Sequence, residues 1–347
     1  MNSQSTVLLS ATELSVGYAS STTQALCLSS LELKLRAGQF VCLLGANGSG
    51  KTSLLRTLAG IQKPLAGTVK IKGHDLKALS PRERAHRLSL VQTQPLRHSA
   101  LSAYDYVALG RQPYSNWFGQ LNPNDHQKIQ QALQAVAASH LAPRPVRELS
   151  DGENQRISLA RALAQEVNIF LMDEPTAFLD IGGRVELMRQ LRSITHQSGL
   201  GTVLSTHDLD LALRYADQIW LITNENNIEQ GIPEALALDG RLAKTFSKQQ
   251  LQWDPHSGQW EAPQQGSLQL SLNATGLRKI WTQRALERCG IGIIAQPESV
   301  RYHLSVLESD NDAQWILEDL ETHTKVQFNS ITECVGQLKK LLQFPAE

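Results

Sequence analysis

Short apolar runs recur through the middle of the chain, and segments with helical spacing of apolar residues lie between them. The runs at 40–44, 167–172, 202–205 and 219–222 have the length and apolar character of buried strands. Between the second and third, residues 183–196 place Leu187, Met188, Leu191 and Ile194 on one helical face. Buried strands that alternate with helices predict a parallel sheet covered by helices, which is an α/β fold.

Two other patterns surround these runs. Residues 5–36 alternate apolar and polar positions in several places, which predicts a small antiparallel sheet that 68–73 joins as another strand. Residues 93–150 are mostly helical, with a helix over 125–140 between proline-containing loops at 122–123 and 143–145. We interpret 93–150 as a helical insertion in the α/β domain.

The C-terminal part has a mixed pattern of its own. After a linker-like segment at 263–266, strand patterns occur at 268–272, 291–295, 302–307, 314–320 and 325–328. One helix is indicated by Leu277, Ile280, Trp281 and Ala285, and another covers 330–342. The chain therefore divides into a domain of residues 1–262 and a small α+β domain of residues 263–347. The small domain has no motif that indicates a chemistry, so a regulatory or dimer-supporting role and a packing extension both stay open.

Composition excludes several classes. Lys plus Arg and Asp plus Glu number 33 each, so no basic excess indicates nucleic-acid binding. No apolar run approaches the ~20 residues that cross a bilayer. No basic segment precedes the short apolar patch at the N-terminus, which argues against a secretory signal. The four cysteines lack metal-binding spacing, and reduced thiols are the simplest interpretation.

A glycine-rich loop follows the first buried strand. Residues 45–52 read GANGSGKT and fit the phosphate-loop pattern G-x-x-x-x-G-K-[ST]. Backbone N–H groups of such a loop and the helix N-terminus after it attract phosphate oxygens. Lys51 would reach the β- and γ-phosphates, and Thr52 would place its hydroxyl on Mg²⁺. The predicted nucleotide-binding residues are Gly45, Ala46, Asn47, Gly48, Ser49, Gly50, Lys51 and Thr52.

Polar residues follow two later strands at the sheet edge where ligands bind in α/β folds. Asp173 and Glu174 come directly after the run 167–172, and His207 follows 202–205. Asp173 is suited to hold Mg²⁺, and Glu174 to act as general base towards an attacking water. We expect His207 on the same rim as Lys51 and Glu174.

Two further features are candidates. Ser150 and Glu153 form an S-x-x-E capping box before the helical segment 154–165. Tyr18, in a Gly-Tyr turn, either stacks on an adenine base or is a half-buried turn aromatic; both alternatives stay open.

The order of these motifs resembles an ATP-binding-cassette ATPase over residues 7–262. The loop 45–52 corresponds to Walker A, 169–174 to Walker B, 149–153 to the signature, 177–180 to the D-loop, and His207 to the switch histidine. The resemblance implies a P-loop NTPase fold with a RecA-like core, an antiparallel β subdomain and a helical insertion. It also implies that Tyr18 stacks on adenine, and that ATP and Mg²⁺ lie between two copies of the chain in a head-to-tail homodimer. In that dimer Ser150, Gly152 and Asp180 of one copy complete the site of the other.

The chain departs from the family pattern in two places. The signature reads LSDGE rather than LSGGQ, so Asp151 should point away from the phosphate and serve the helix N-terminus. The Q-loop glutamine, which the resemblance places at the metal and the attacking water, is either Gln92 or Gln94, and we favour Gln94.

The segments 107–114 and 254–258 and the LSDGE variant resemble the ATPases of iron-siderophore, haem and cobalamin importers. This implies a peripheral subunit at the cytoplasmic face of the inner membrane, bound to a separate permease that a periplasmic binding protein supplies. An exporter ATPase and a non-transport ATPase of the same superfamily remain alternatives.

Overall fold

The structure is a computed structural model that describes residues 6–19, 24–92, 100–116, 119–246, 252–254, 259–261, 268–294, 300–308 and 313–343. The chain forms two compact units, the first comprising 1–249 with 253–260 and the second 250–252 with 261–347.

The elements of the first unit alternate as the sequence predicts. In chain order they are β1 (Val7–Ala19), β2 (Gln24–Arg36), β3 (Phe40–Leu44), α1 (Lys51–Leu58), β4 (Ala66–Ile71), β5 (His74–Asp75), α2 (Pro81–Ala85), β6 (Leu88–Gln92), α3 (Ala103–Ala108), α4 (Pro123–Ala135), α5 (Asp151–Ala164), β7 (Ile169–Asp173), α6 (Ile181–Ser198), β8 (Gly201–Ser205), α7 (Leu209–Tyr215), β9 (Gln218–Ile222), β10 (Ile228–Gly231), α8 (Pro233–Leu238) and α9 (Arg241–Phe246). Short 3₁₀ turns cover 76–78, 109–114, 139–141 and 146–148.

A six-stranded sheet forms the centre of this unit, with strand order β10-β9-β3-β8-β7-β6. All neighbouring strands are parallel except β9 and β10. The five residues of β3 are all buried, and they alternate between two hydrophobic clusters. Both faces of the strand are therefore covered, which is why its sequence is a continuous apolar run rather than an alternating one.

The antiparallel sheet has strand order β2-β1-β4-β5, and its inward leucines belong to one of those two clusters. The helical insertion begins at residue 100 in the described part of the chain. Its central helix starts two residues earlier than predicted, because Asn122 and Asp125 form the capping box with Pro123 in the first turn. The same helix ends at Ala135, before a left-handed residue, Ala137 (φ 52°), so the predicted extension to 140 is wrong.

A buried arginine joins the insertion to the core. Arg111 is 2% exposed, and its Nε donates to Asp125 Oδ1 at 2.9 Å. Its Nη1 donates to the Ala164 carbonyl and to Glu166 Oε2, both at 2.7 Å, at the end of α5. This cation therefore ties the start of α4 to the segment that leads into β7.

The second unit is an α+β fold. It follows a two-stranded sheet of β11 (Gln252–Asp254) and β12 (Gln259–Glu261), most of whose residues belong to the first unit. The elements of the second unit are β13 (Leu268–Asn273), α10 (Gly276–Arg288), β14 (Ile291–Ile293), β15 (Tyr302–Glu308), β16 (Ala313–Asp319), β17 (Thr324–Phe328) and α11 (Ile331–Gln343). The strands have the order β14-β13-β15-β16-β17, with β13 parallel to both of its neighbours.

The inward face of α10 differs from the one that its apolar residues suggest. Leu277, Ile280 and Trp281 are 73, 49 and 59% exposed, whereas Thr282, Ala285 and Leu286 are buried. Trp315 of β16 explains this orientation, since its Nε1 donates to Thr282 Oγ1 at 2.9 Å.

Candidate nucleotide-binding and catalytic site

The phosphate loop lies between β3 and α1, and two of its glycines are required by geometry. A Cβ at Gly45 would lie 2.7 Å from Ser49 Oγ and 2.9 Å from Ile222 Cβ. Gly50 has φ 100°, a left-handed value that side chains disfavour. The loop thus turns closely on itself at positions where a side chain would clash or be strained.

The N-terminus of α1 is prepared for an anion. Gly50 is its N-cap and provides no side-chain cap, and the first turn has no acidic residue. Among the described residues, the buried Ser49 Oγ has no hydrogen-bond partner. A buried hydroxyl without a partner is costly, and phosphate oxygens would satisfy both this group and the helix N–H groups. The loop therefore fits a nucleotide phosphate chain.

Lys51 supplies the cation of the site. Its side chain is 5% exposed, and Nζ donates to the Gly45 carbonyl at 2.8 Å and to the Ala46 carbonyl at 3.1 Å. Burial lowers the pKa of Lys51, and the nearby carboxylates of Glu174 and Asp173 oppose that shift. The ammonium group is therefore held over the loop and close to both carboxylates.

The two carboxylates are fixed by a residue that the sequence analysis missed. Ser205, at the end of β8, is fully buried, and its Oγ donates to Asp173 Oδ1 at 2.8 Å. The same Oγ accepts the Glu174 N–H at 2.9 Å. Ser205 thus bridges the adjacent ends of β7 and β8. Its position directly before Thr206 and His207 was the only signal in the sequence.

Glu174 has a constrained backbone and contacts the histidine. Its φ of 51° is unusual for a residue with a side chain, and such conformations persist where the surroundings impose them. His207 Nε2 contacts Glu174 Oε1 directly. The structure therefore brings Lys51, Asp173, Glu174 and His207 together, as predicted.

The neighbouring glutamine lies on the same edge. Gln92 pairs with Asp173 across the parallel strands β6 and β7. With its amide turned so that the oxygen faces Arg56, that oxygen accepts hydrogen bonds from Arg56 Nε and Nη2, both at 3.2 Å. Gln94, the favoured Q-loop residue, lies outside the described residues, so the choice between the two stays a prediction.

The signature residues cap α5. Ser150 Oγ and Ser150 N–H both donate to Glu153 Oε2, at 2.9 and 2.8 Å, and Arg144 Nη1 lies 3.1 Å from Glu153 Oε1. The backbone hydrogen bond from Ser150 is the main cause that keeps the pKa of Glu153 below its usual value. Asp151 is exposed in the first turn of the same helix, beside Gly152.

Tyr18 and Asp180 are the remaining predicted nucleotide-binding residues. Tyr18 is 54% exposed, and its hydroxyl is 2.7 Å from Ser53 Oγ, one residue after Thr52. Asp180 caps α6 by accepting the Gly183 N–H at 2.7 Å. In the described part of the chain, no hydrogen bond or ion pair joins Ser150 or Asp180 to the phosphate loop.

The oxygen atoms that the site offers suit a metal ion that also binds phosphate oxygens of the nucleotide. The described residues contain no group of three His, Cys, Asp or Glu side chains arranged around one ion. The Thr52 hydroxyl and the Asp173 carboxylate are hard oxygen donors, and Mg²⁺ commonly takes one or two protein oxygens together with phosphates and water. These two residues fit that role.

Comparison with known proteins identifies both units. The model of the family described as ABC transporter matches residues 28–177, and that of the Iron ABC transporter C-terminal domain matches residues 268–339. The achromobactin transport ATP-binding protein of Dickeya dadantii is 38% identical over 67% of this chain and 85% of that protein. The petrobactin import ATP-binding protein of Bacillus anthracis is 31% identical over 68% of this chain and 86% of that protein.

A solved structure agrees in fold. It is described as an inward-facing conformation of a metal-chelate type ABC transporter, with 28% identity and a TM-score of 0.60 over 69% of this chain and 89% of that one. No helix among the described residues is long and apolar enough to span a bilayer. The phosphate loop, the paired carboxylates and these matches together show that the chain belongs to the ATP-binding proteins of ABC transporters, which are ATPases.

Proposed function

We propose that this chain powers the import of iron chelates through a separate membrane permease. One observation carries the proposal: a segment matching the Iron ABC transporter C-terminal domain follows the ATPase unit on the same chain. The names of relatives that state achromobactin transport, petrobactin import and a metal-chelate type transporter support the same substrate class.

ATP binding would use the groups that the phosphate loop holds in place. The loop N–H groups and Lys51 take the β- and γ-phosphates, while the exposed ring of Tyr18 takes the adenine, held near α1 by the bond to Ser53. Thr52 and Asp173 would hold Mg²⁺, which would neutralise phosphate charge when bound.

Glu174 is the proposed base. Its carboxylate accepts the proton of the attacking water, and a general base contributes roughly 10²- to 10⁴-fold in rate. His207, in contact with Glu174, is a positioning residue for that carboxylate, and Ser205 fixes the backbone on which it stands. The Q-loop glutamine, Gln92 or Gln94, would orient the water.

A second copy of the chain would complete the site. Phe178 and Ile181, on either side of Asp180, are 65 and 81% exposed, and Phe178 has φ 65°. Exposed apolar residues at a strained loop are typical of a contact surface. In a head-to-tail homodimer, this D-loop and the α5 N-terminus with Ser150 and Gly152 face the nucleotide of the partner.

The permease would dock between the core and the insertion. A cavity of about 560 Å³ lies there, and its walls are formed by β6, the 3₁₀ turn at 109–114 and α5. It borders the strand that leads to Gln92 and Gln94. Movement at the nucleotide would therefore reach the permease through this strand. In this arrangement the subunit lies at the cytoplasmic face of the inner membrane, and a periplasmic binding protein supplies the chelate.

Uptake of ⁵⁵Fe-labelled siderophores tests the proposal. Cells that lack this chain should lose uptake of at least one chelate in a panel of catecholates and hydroxamates, and a plasmid copy should restore it. Retention of label in the deletion strain above wild-type level would instead indicate export. Unchanged uptake of every chelate, haem and cobalamin would contradict the proposal.

A further inference from the structure

A second cavity adjoins the first cavity, in which the permease is proposed to dock. It has a volume of about 590 Å³ and lies among the C-terminal end of α1, the loop 60–64, β4 and the 3₁₀ turn at 76–78. Gly60, Ile61 and Arg84 line both cavities, which therefore lie side by side, and we call the two together the groove. Ile61, at the junction, is 66% exposed.

The side-chain charges of this groove have one sign. Lys63 and Lys77 line the second cavity, Arg161 the first, and Arg84 both, while no Asp or Glu in the described part of the chain lines either of them. Within the described residues, none of these four cations takes part in an ion pair. Four cations without carboxylate partners create a positive field in a concave surface, which favours an anionic occupant.

The nearest carboxylates in sequence are engaged elsewhere. Asp75 Oδ1 accepts the Lys77 backbone N–H at 2.8 Å and caps the turn at 76–78. Glu83 accepts from Ser80 Oγ and Ser80 N–H at 2.7 and 2.8 Å in the capping box of α2. Both carboxylates bond to helix N-termini, and among the described residues neither of them forms an ion pair with any of the four cations.

The two arginines are held in place. Arg84 Nη1 donates to the Gly60 carbonyl at 2.7 Å, and the Arg161 guanidinium lies 5.2 Å from the centre of the Tyr106 ring. Restraint of long side chains before binding reduces the entropy lost when they pair with a ligand.

We infer that the permease segment that docks in this groove is acidic: its carboxylates pair with Lys63, Lys77, Arg84 and Arg161 around an apolar contact on Ile61. The inference rests on the proposed function and adds the charge of the partner and the use of the second cavity.

Binding to membrane vesicles with and without the co-expressed permease tests it. The variant Lys63→Glu/Lys77→Glu reverses two exposed charges of the second cavity. The control Lys34→Glu/Lys339→Glu makes the same change of net charge at exposed positions on β2 and α11. Like-charge contacts at an interface are strongly unfavourable, so the groove variant should bind permease vesicles about tenfold or more weakly than the control. Basal ATP hydrolysis of both should equal that of the wild type.

A third variant separates the charge inference from docking itself. Leu109→Asp places a carboxylate on the apolar wall of the first cavity. If this variant loses binding while the groove variant binds like its control, docking stands and the acidic partner is refuted. If none of the variants alters binding, or if the wild type does not bind permease vesicles, the docking proposal fails as well. Binding of the wild type to permease-free vesicles of anionic lipid, lost in the groove variant, would assign the groove to lipid headgroups and overturn the inference.

Discussion

Replacement of Ser205 by alanine should slow ATP hydrolysis without preventing ATP binding. The serine hydroxyl bonds both to the Asp173 carboxylate and to the Glu174 N–H, at 2.8 and 2.9 Å. Alanine has nearly the same size and keeps the strand intact, but it removes both bonds. The phosphate loop and Lys51 are untouched by the change.

The size of the effect follows from these two contacts. A hydrogen bond to a charged group contributes about 1.5–3 kcal/mol, and a neutral one about 0.5–1.5 kcal/mol. The free energy of unfolding should therefore fall by roughly 2–4.5 kcal/mol, less the strain energy that Glu174 releases when it leaves φ 51°. Loss of a group that orients metal-ligating or catalytic carboxylates commonly costs about 10- to 100-fold in activity, and we expect that range for kcat.

A second buried hydroxyl on β8 provides the control. Thr202 Oγ1 is 2.7 Å from Thr195 Oγ1, and both side chains are buried at the opposite end of the strand from the site. Thr202→Val removes this bond with little change of shape, so it should lower stability by about 1 kcal/mol and leave hydrolysis unchanged. Phosphate release at saturating Mg-ATP and urea unfolding measure the two effects separately. If Ser205→Ala hydrolyses ATP as fast as Thr202→Val, Ser205 does not position the carboxylates.

Three further predictions concern binding, stability and pH. Lys51→Ala should weaken ATP binding about 100-fold or more in a titration, because it removes a buried cation from the loop, whereas Lys72→Ala on the surface should bind normally. Arg111→Met should lower the free energy of unfolding by about 3–5 kcal/mol, because it leaves the buried Asp125 carboxylate without its partner, and Arg189→Met at an exposed pair should change it little. The lowered pKa of Glu153 means that its cap stabilises the fold fully above about pH 4.5, and that this stabilisation is lost as pH falls through the lowered pKa; the free energy of unfolding of Glu153→Gln should therefore fall less steeply than that of the wild type as pH drops below about 4.5, and parallel acid curves would refute the linkage.

Local pattern predicted the core of the fold well. The strands β3, β7, β8 and β9 and the helix α6 were expected within two residues of their observed bounds, because each combines a run of apolar residues with a clear turn or cap. The edge where Lys51, Asp173, Glu174 and His207 meet was also expected, since carboxyl ends of parallel strands share one side of a sheet.

The failures came from contacts between distant residues. Ser205 contacts a strand that lies 32 residues earlier, and a serine at a strand end has no distinctive local pattern. The apolar spacing of 277–285 predicted a helix but not its inward face, which depends on the bond between Thr282 and Trp315. Helix α4 ended early because Ala137 adopts a left-handed conformation that alanine propensity does not favour.

Hydrolysis by Glu174→Gln tests the central claim most directly. Glutamine keeps the size of the side chain and can still bond to His207, but it cannot take a proton from water, while the loop, Lys51 and Asp173 remain. Purified Glu174→Gln should therefore bind Mg-ATP, release phosphate about 10²- to 10⁴-fold more slowly than the wild type, and elute as an ATP-bound dimer in size-exclusion chromatography. Phosphate release at the wild-type rate would show that Glu174 is not the base and would contradict the account.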